Sequence, residues 1–167
     1  MLKRSVFLLL FSMSFALLEC RNLTKSSSEN NNIVLYADEA QLAVSTLNDI
    51  AQRYTDFLAQ FGKKDTGDLI GQMESLIAPD CHKIVNGKIV STTLLELHNQ
   101  IAEAKTSVGL WEVNVESPFI VSSENNTVVV HYEIPTTRQG TLAVMKFLKC
   151  NSNGLIIEIN EVFNKKD

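Results

Sequence analysis

The chain contains 167 residues, of which 15 are basic and 19 acidic, and its formal net charge at pH 7 is −4. The basic residues are spread along the chain and form no stripe of the kind that binds nucleic-acid phosphates, so the composition argues against a nucleic-acid partner. A chain of this length with 45% hydrophobic residues can bury one ordinary core without disulfides or metals.

The N-terminus has the pattern of an export signal. Lys3 and Arg4 precede an apolar run over residues 6–18. We therefore predict that residues 1–19 are a signal peptide and that residues 34–167 form one domain in the cell envelope. No other apolar run approaches the roughly 18 to 20 residues that cross a bilayer, so we expect membrane contact only through an N-terminal anchor.

The residues around Cys20 predict that anchor. Leu17 stands where a bacterial lipobox has a branched residue, although Glu19 occupies a position that is usually small. Residues 20–33 are mostly polar and are predicted to form a tether. Lipidation of Cys20 is the favoured interpretation. The alternative is ordinary cleavage after Ala16, which would leave a soluble periplasmic or secreted protein.

The first half of the domain has the apolar spacing of helices. A long amphipathic helix is predicted to begin at Asp38, which with Gln41 forms a variant capping box, and to end at Gly62. A second, shorter helix is predicted over residues 68–78 and is closed by Pro79.

A hairpin and a third helix follow. Residues 82–90 are predicted to form a short hairpin that turns at Asn86 and Gly87. Thr93 and Glu96 have the spacing of a capping box, so the third helix is predicted to begin there.

After Gly109 the apolar period changes from helical spacing to two, which predicts strands. Turn-forming residues separate the apolar runs, so we expect an antiparallel meander of four strands. Helices followed by strands indicate an α+β fold, with three helices on one face of a curved antiparallel sheet. The four runs are Trp111, Val113 and Val115; Val128, Val130, Tyr132 and Ile134; Leu142, Val144 and Leu148; and Leu155, Ile157 and Ile159.

This order of elements resembles the NTF2-like superfamily, which includes SnoaL-like polyketide cyclases and ketosteroid isomerases. The resemblance covers residues 38–163. The segments that show the resemblance are residues 52–54 on the first helix, residues 76–80 leading into residues 85–87, and residues 154–163 as the closing strand. The resemblance implies a cone in which the bent sheet wraps the helices, with a pocket between the long helix and the concave face.

The ketosteroid isomerases of this superfamily use a carboxylate base, a tyrosine and a protonated acid. Tyr54 falls where the family has its tyrosine, although its helical spacing also fits a core aromatic. The base would fall at Val85 or Asn86, and the acid near Lys146. Two of the three roles are unfilled, so the resemblance favours a non-catalytic binding or assembly module with a pocket for a small apolar ligand.

Strand alternation directs two charged side chains inward. If Leu142, Val144 and Leu148 face the core, Lys146 does so too. If Leu155, Ile157 and Ile159 face the core, Glu161 does so as well. A buried charge is costly unless it is paired, so these groups lie either at an open rim or in a ligand pocket. The predicted pocket residues are Tyr54, Asn86, Trp111, Lys146 and Glu161.

Two other functions stay open at this point. The first is a SnoaL-like isomerase, cyclase or dehydratase whose acid-base chemistry would come from Tyr54, His82, His131 or Glu161. The second is a structural role in envelope assembly.

The sequence favours neither a metal nor a cofactor. His82, His98 and His131 lack the spacing of metal ligands, and His98 fits a packed core histidine better. Nucleophile and phosphate-binding signatures are lacking too. Cys81 and Cys150 could pair in an exported protein, but a domain of this size does not need a bridge and we do not predict one.

The outward positions of the predicted strands are unusually apolar for a sheet with one wet face. A contiguous apolar patch seldom stays exposed on a monomer, so we predict a two-fold homodimer through this convex face, with Met145 and Phe147 near its centre. The outward apolar residues are Val129, Ala143, Met145, Phe147, Ile156 and Val162.

Overall fold

The structure, a computed structural model, describes residues 40–63 and 69–166. The predicted signal peptide, Cys20 and the tether lie outside these residues. The described chain forms an α+β fold, as predicted. Its helices are α1 (Val44–Gly62), α2 (Ile70–Glu74) and α3 (Leu94–Val108), and its strands are β1 (Ile77–Val85), β2 (Lys88–Ser91), β3 (Asn114–Val115), β4 (Ile120–Ser122), β5 (Thr127–Thr136), β6 (Gly140–Cys150) and β7 (Ile156–Lys165).

The strands form one sheet in the order β2-β1-β7-β6-β5-β3, and β4 also pairs with β5. The expectation of an antiparallel sheet needs correction, because β1 and β7 run parallel, with Val85 opposite Glu161. The remaining pairs are antiparallel. The mixed sheet arises because the β1–β2 hairpin adds to the sheet beside β7, the last strand of the chain. Among the described helices, none is long and apolar enough to cross a membrane.

The helix boundaries differ from the predicted ones at two places. Helix α1 begins at Val44 with no side-chain cap, and the proposed cap residue Asp38 lies outside the described residues. Its end at Gly62 is confirmed. The second helix stops at Glu74, and Pro79, predicted to close it, lies inside β1. Pairing with β7 overrides the local helical spacing, since the amide of Ile156 donates to the Leu76 carbonyl at 3.0 Å.

The hairpin and the third helix form as predicted. Asn86 and Gly87 have φ values of 47° and 79°, the left-handed pair that a tight two-residue hairpin turn requires. The Thr93 hydroxyl caps α3 by accepting from the Glu96 amide at 3.2 Å. The Glu96 carboxylate accepts in return from the amide of Thr92 at 2.7 Å, one residue earlier than in a capping box.

The strands after α3 number five in the described chain instead of four. The first predicted run is paired only at Asn114–Val115, while Trp111 makes an isolated bridge to Thr136. Strand β4 then forms a separate short pair with β5. Pro118 lies between the two short strands, and proline cannot donate a ladder hydrogen bond, which explains the interruption.

The core lies between the helices and the inner face of the sheet. Alternation is confirmed on β5 and β6, where Val128, Val130, Tyr132, Val144, Lys146 and Leu148 are buried. On β7 the positions that face inward differ from the predicted ones, because the β6–β7 pairing has a register irregularity between Lys149 and Cys150. Ile156 is consequently fully buried, and its predicted place on the outer face is wrong. A bulge of this kind moves one residue out of register and reverses the faces before it.

Candidate functional site

A cavity of about 290 Å³ lies between α1, α3 and the inner face of the sheet. This volume is at the small end of the roughly 300–1,000 Å³ of ligand pockets. Its walls are mostly apolar, and its charged groups come from three neighbouring strands. The lining residues are Tyr54, Leu58, Lys83, Val85, Gln100, Ile101, Ala104, Ser107, Val108, Trp111, Ile134, Gln139, Leu142, Val144, Lys146, Glu161 and Phe163.

Lys83, Lys146 and Glu161 form a buried ionic cluster on the cavity wall. The Glu161 carboxylate accepts from both ammonium groups at the same oxygen, with Oε2 2.9 Å from Lys146 Nζ and 3.2 Å from Lys83 Nζ. Lys83 is 5% exposed and Lys146 4% exposed. Because the interior is poor in water, each charge depends on the others for its stabilisation.

Strand geometry places these side chains. Lys146 lies two residues after Val144 and two before Leu148, both buried, so the pleat directs it inward as predicted. Lys83 follows the fully buried Cys81 by two residues in β1 and faces inward for the same reason. The sequence interpretation missed Lys83, although the alternation of Cys81, Lys83 and Val85 carries the signal.

Tyr54 extends the cluster from α1. Its hydroxyl accepts from Lys146 Nζ at 2.9 Å. The same ammonium lies 5.1 Å from the Tyr54 ring centroid and 5.6 Å from that of Tyr132, so two aromatic faces also stabilise the charge. An ammonium can only donate, which leaves the Tyr54 hydroxyl proton available for another acceptor.

Gln100 connects the cluster to α3. Its side-chain Oε1 accepts from Lys83 Nζ at 2.8 Å. With Glu161 as the other acceptor, Lys83 has two of its three N–H groups satisfied by described residues. The third is available to an acceptor in the cavity.

The pKa values in the cluster follow from burial and from charge. Burial alone would raise the pKa of the Glu161 carboxyl, but Lys146 and Lys83 outweigh it and hold the pKa at about 2. Burial would lower the pKa of Lys146, but Glu161 and the two tyrosines raise it well above its usual value. For Lys83 burial prevails over the attraction of Glu161 and lowers the pKa to about 8. Below that pH the cluster carries two positive charges and one negative charge.

Trp111 forms part of the cavity wall and fixes it to α1. Its indole N–H donates to the Leu58 carbonyl at 3.0 Å, and its ring stacks on Phe61 with centroids 6.1 Å apart. A Cβ on Gly62 would lie 2.2 Å from the Trp111 carbonyl oxygen, so only glycine allows this approach.

Four of the five predicted pocket residues therefore meet at one cavity, and Asn86 does not line it. Asn86 lies in the β1–β2 turn, where its side-chain oxygen accepts from the Phe163 amide at 3.3 Å and its own amide donates to the Glu161 carbonyl at 2.8 Å. Its role is to hold the hairpin against β7, beside the cluster.

The histidines and the two described cysteines lie away from the cavity lining. His82 is exposed on β1, and His131 is paired opposite Met145 on β5. His98 packs edge-on against Phe61 with centroids 6.3 Å apart. Cys81 and Cys150 are buried free thiols. The described residues include no group of three or more histidine, cysteine or acidic side chains that could hold a metal.

No protein-family model and no curated protein sequence matches the chain. Solved structures match its fold. A proposed isomerase of the SnoaL-like family from Agrobacterium tumefaciens str. C58 aligns with a TM-score of 0.60 at 11% identity, over 72% of this chain and 99% of that one. A proposed SnoaL-like polyketide cyclase from Jannaschia sp. CCS1 aligns with a TM-score of 0.61 at 13% identity, over 77% of this chain and 88% of that one.

An NTF2-like protein from Exiguobacterium sp. 255-15 aligns at a TM-score of 0.57 with 14% identity, over 70% of this chain and 99% of that one. The chain therefore has the NTF2-like fold that its sequence resembled. Identities this low show the fold alone, and the chemistry must be argued from this chain's own cavity.

Glu161→Gln is expected to lower the free energy of unfolding at pH 7 by about 3–5 kcal/mol, because it leaves two buried ammonium groups without a counter-charge. The wild-type carboxyl has a folded pKa of about 2 against an ordinary 4.5, so its contribution is full above pH 4.5 and is lost as the pH falls towards 2. Urea denaturation between pH 2.5 and 7 measures both effects.

Glu158→Gln, on the same strand, is the matched control and should stay within about 0.5 kcal/mol of wild type. Equal losses of stability in the two variants would contradict the assignment of Glu161 as the central counter-ion.

Proposed function

We propose that the domain binds a small, mostly apolar molecule in this cavity and performs no chemistry on it. The observation that carries the proposal is the cavity of about 290 Å³, whose walls are mostly apolar and include one cluster of charged side chains. Ligand pockets combine these two features, because apolar walls supply affinity and a few polar groups fix orientation.

The state of the acidic group supports binding over catalysis. A general base works best when its pKa lies near the working pH. Glu161 is the acidic residue of the cavity lining, and two lysines hold its pKa at about 2, so it accepts protons poorly. Val85, at a position where the isomerase comparison would require a base, contributes an apolar wall.

One observation favours the enzymatic alternative. Burial lowers the pKa of Lys83 to about 8, so part of this lysine is an uncharged amine at neutral pH and can take a proton. Tyr54 lies in the same cavity with a hydroxyl proton to donate. A SnoaL-like isomerase, cyclase or dehydratase could combine them on a carbonyl substrate, and Tyr54-dependent turnover of such a substrate would favour this alternative.

Ala104→Phe is expected to fill the cavity from α3 and to weaken binding of the apolar fluorescent probe N-phenyl-1-naphthylamine by about tenfold or more, or roughly 1.4 kcal/mol. Ala104 lines the cavity, and Ala102, exposed on the same helix, supplies the control variant Ala102→Phe. Fluorescence titration measures both affinities. Unchanged probe binding by Ala104→Phe would place the ligand elsewhere.

We also propose that the protein is exported and anchored by a lipid on Cys20, on the strength of its N-terminal sequence. Cys20→Ala is expected to move the protein from the membrane fraction to the soluble fraction of a bacterial host. Ser26→Ala, within the tether, should leave it in the membrane fraction. The intact mass of the mature protein identifies its N-terminus and any attached lipid. An unlipidated N-terminus at Leu17 would contradict the proposal.

We further propose a homodimer, on the strength of the exposed apolar residues on the outer face of the sheet. Met145, Phe147 and Val162 are 42%, 41% and 46% exposed on β6 and β7, although Ile156 no longer belongs to this patch. We expect Phe147→Glu to yield a monomer, since a buried charge at the centre of an interface costs several kcal/mol.

Sedimentation velocity at micromolar concentration measures this effect. The control variant is Leu95→Glu, which changes a residue that is 69% exposed on α3, and this variant protein should remain a dimer. A monomeric wild-type domain would contradict the proposed interface.

A further inference from the structure

The charges in the cavity do not balance. Lys83, Lys146 and Glu161 are the charged residues of its described lining, and together they carry one excess positive charge. Both lysines are almost fully buried, so water screens this excess only weakly. A single negative charge placed in the cavity would compensate it.

Two hydrogen-bond donors of this cluster are available to a ligand. Lys83 has one N–H group beyond those accepted by Glu161 and Gln100. Tyr54 keeps its hydroxyl proton because Lys146 can only donate to it. Both side chains line the cavity, and the contacts through Lys146 and Glu161 connect them in one continuous chain.

The remaining walls suit an alkyl or aryl body. Leu58 and Ile101 come from the helices, Ile134 and Leu142 from the sheet, and Trp111 from the segment before β3. These side chains offer no charge and few polar atoms, so they favour the apolar part of a ligand.

We infer that the ligand is a monoanionic amphiphile, with a carboxylate held by Lys83 and Tyr54 and a short apolar body against the cavity walls. A carboxylate has two oxygens for the two donors, and its single charge equals the excess. A phosphate monoester carries nearly two charges at neutral pH and would overcompensate the cluster. This inference rests on the proposed function and specifies its ligand class.

The experiment compares octanoate, octanol and octyl phosphate as competitors of N-phenyl-1-naphthylamine on the full domain at pH 7. Octanoate is expected to bind most tightly. Lys83→Met should weaken octanoate binding about tenfold to a hundredfold, the range of a hydrogen bond to a charged group, and leave octanol unchanged. Lys165→Met, at an exposed position of β7, is the control.

Dependence on pH separates a charge contact from a structural role. The titratable groups near Lys83 are Cys81 on its own strand, Lys146 on β6 and Glu161 on β7, with Tyr54 reached through Lys146. Lys83 has a pKa of about 8, so octanoate affinity should fall as the pH rises through 8, while octanol affinity stays constant.

The outcomes distinguish the two proposals. Equal affinities for octanoate and octanol would overturn the anionic ligand and leave the apolar pocket standing. Tighter binding of octyl phosphate than of octanoate would overturn the carboxylate. Failure of the probe and of every competitor to bind would overturn the proposed function itself. Should Lys83→Met not fold, Tyr54→Phe provides the second variant, with an expected loss of about tenfold for octanoate.

Discussion

The contact of one carboxylate with two ammonium groups is the constraint on which the site depends. An isolated charge in an apolar interior is too costly to keep, so Lys146 and Lys83 can be buried only because Glu161 is present. Glu161 is in turn ionised because the lysines hold its pKa at about 2. The two ammonium groups thereby stay charged at the wall of an otherwise mostly apolar cavity.

The parallel pairing of β1 and β7 makes this contact reachable. In that register Val85 lies opposite Glu161, which brings the inward-facing Lys83 next to the carboxylate. The antiparallel β6–β7 pair places Lys146 directly opposite Glu161 from the other side. Glu161 thus lies on a central strand between two lysine-bearing neighbours, a position that a wholly antiparallel meander with a separate hairpin would not provide.

Solved structures with this fold include a proposed isomerase and a proposed polyketide cyclase, so the fold itself does not decide between binding and catalysis. The decision rests on the protonation states inside the cavity. An ionised carboxylate neutralised by two lysines stabilises charge but is a poor base. The reduced pKa of Lys83 gives the described lining of the cavity a group that titrates near neutral pH. The proposed recognition of an anionic ligand and any proton transfer would therefore both depend on the Lys83 amine.

Sequence patterns correctly predicted the order and type of most elements, the Asn86–Gly87 turn, the Thr93 cap and the inward direction of Lys146 and Glu161. These features depend on local periodicity and turn chemistry, which neighbouring residues specify. Long-range contacts set the parallel β1–β7 pair, the end of α2 before Pro79, the bulge that buries Ile156 and the contact of Lys83 with Glu161. Each depends on partners tens of residues away, and a one-residue shift in strand register reverses the face of every side chain before it.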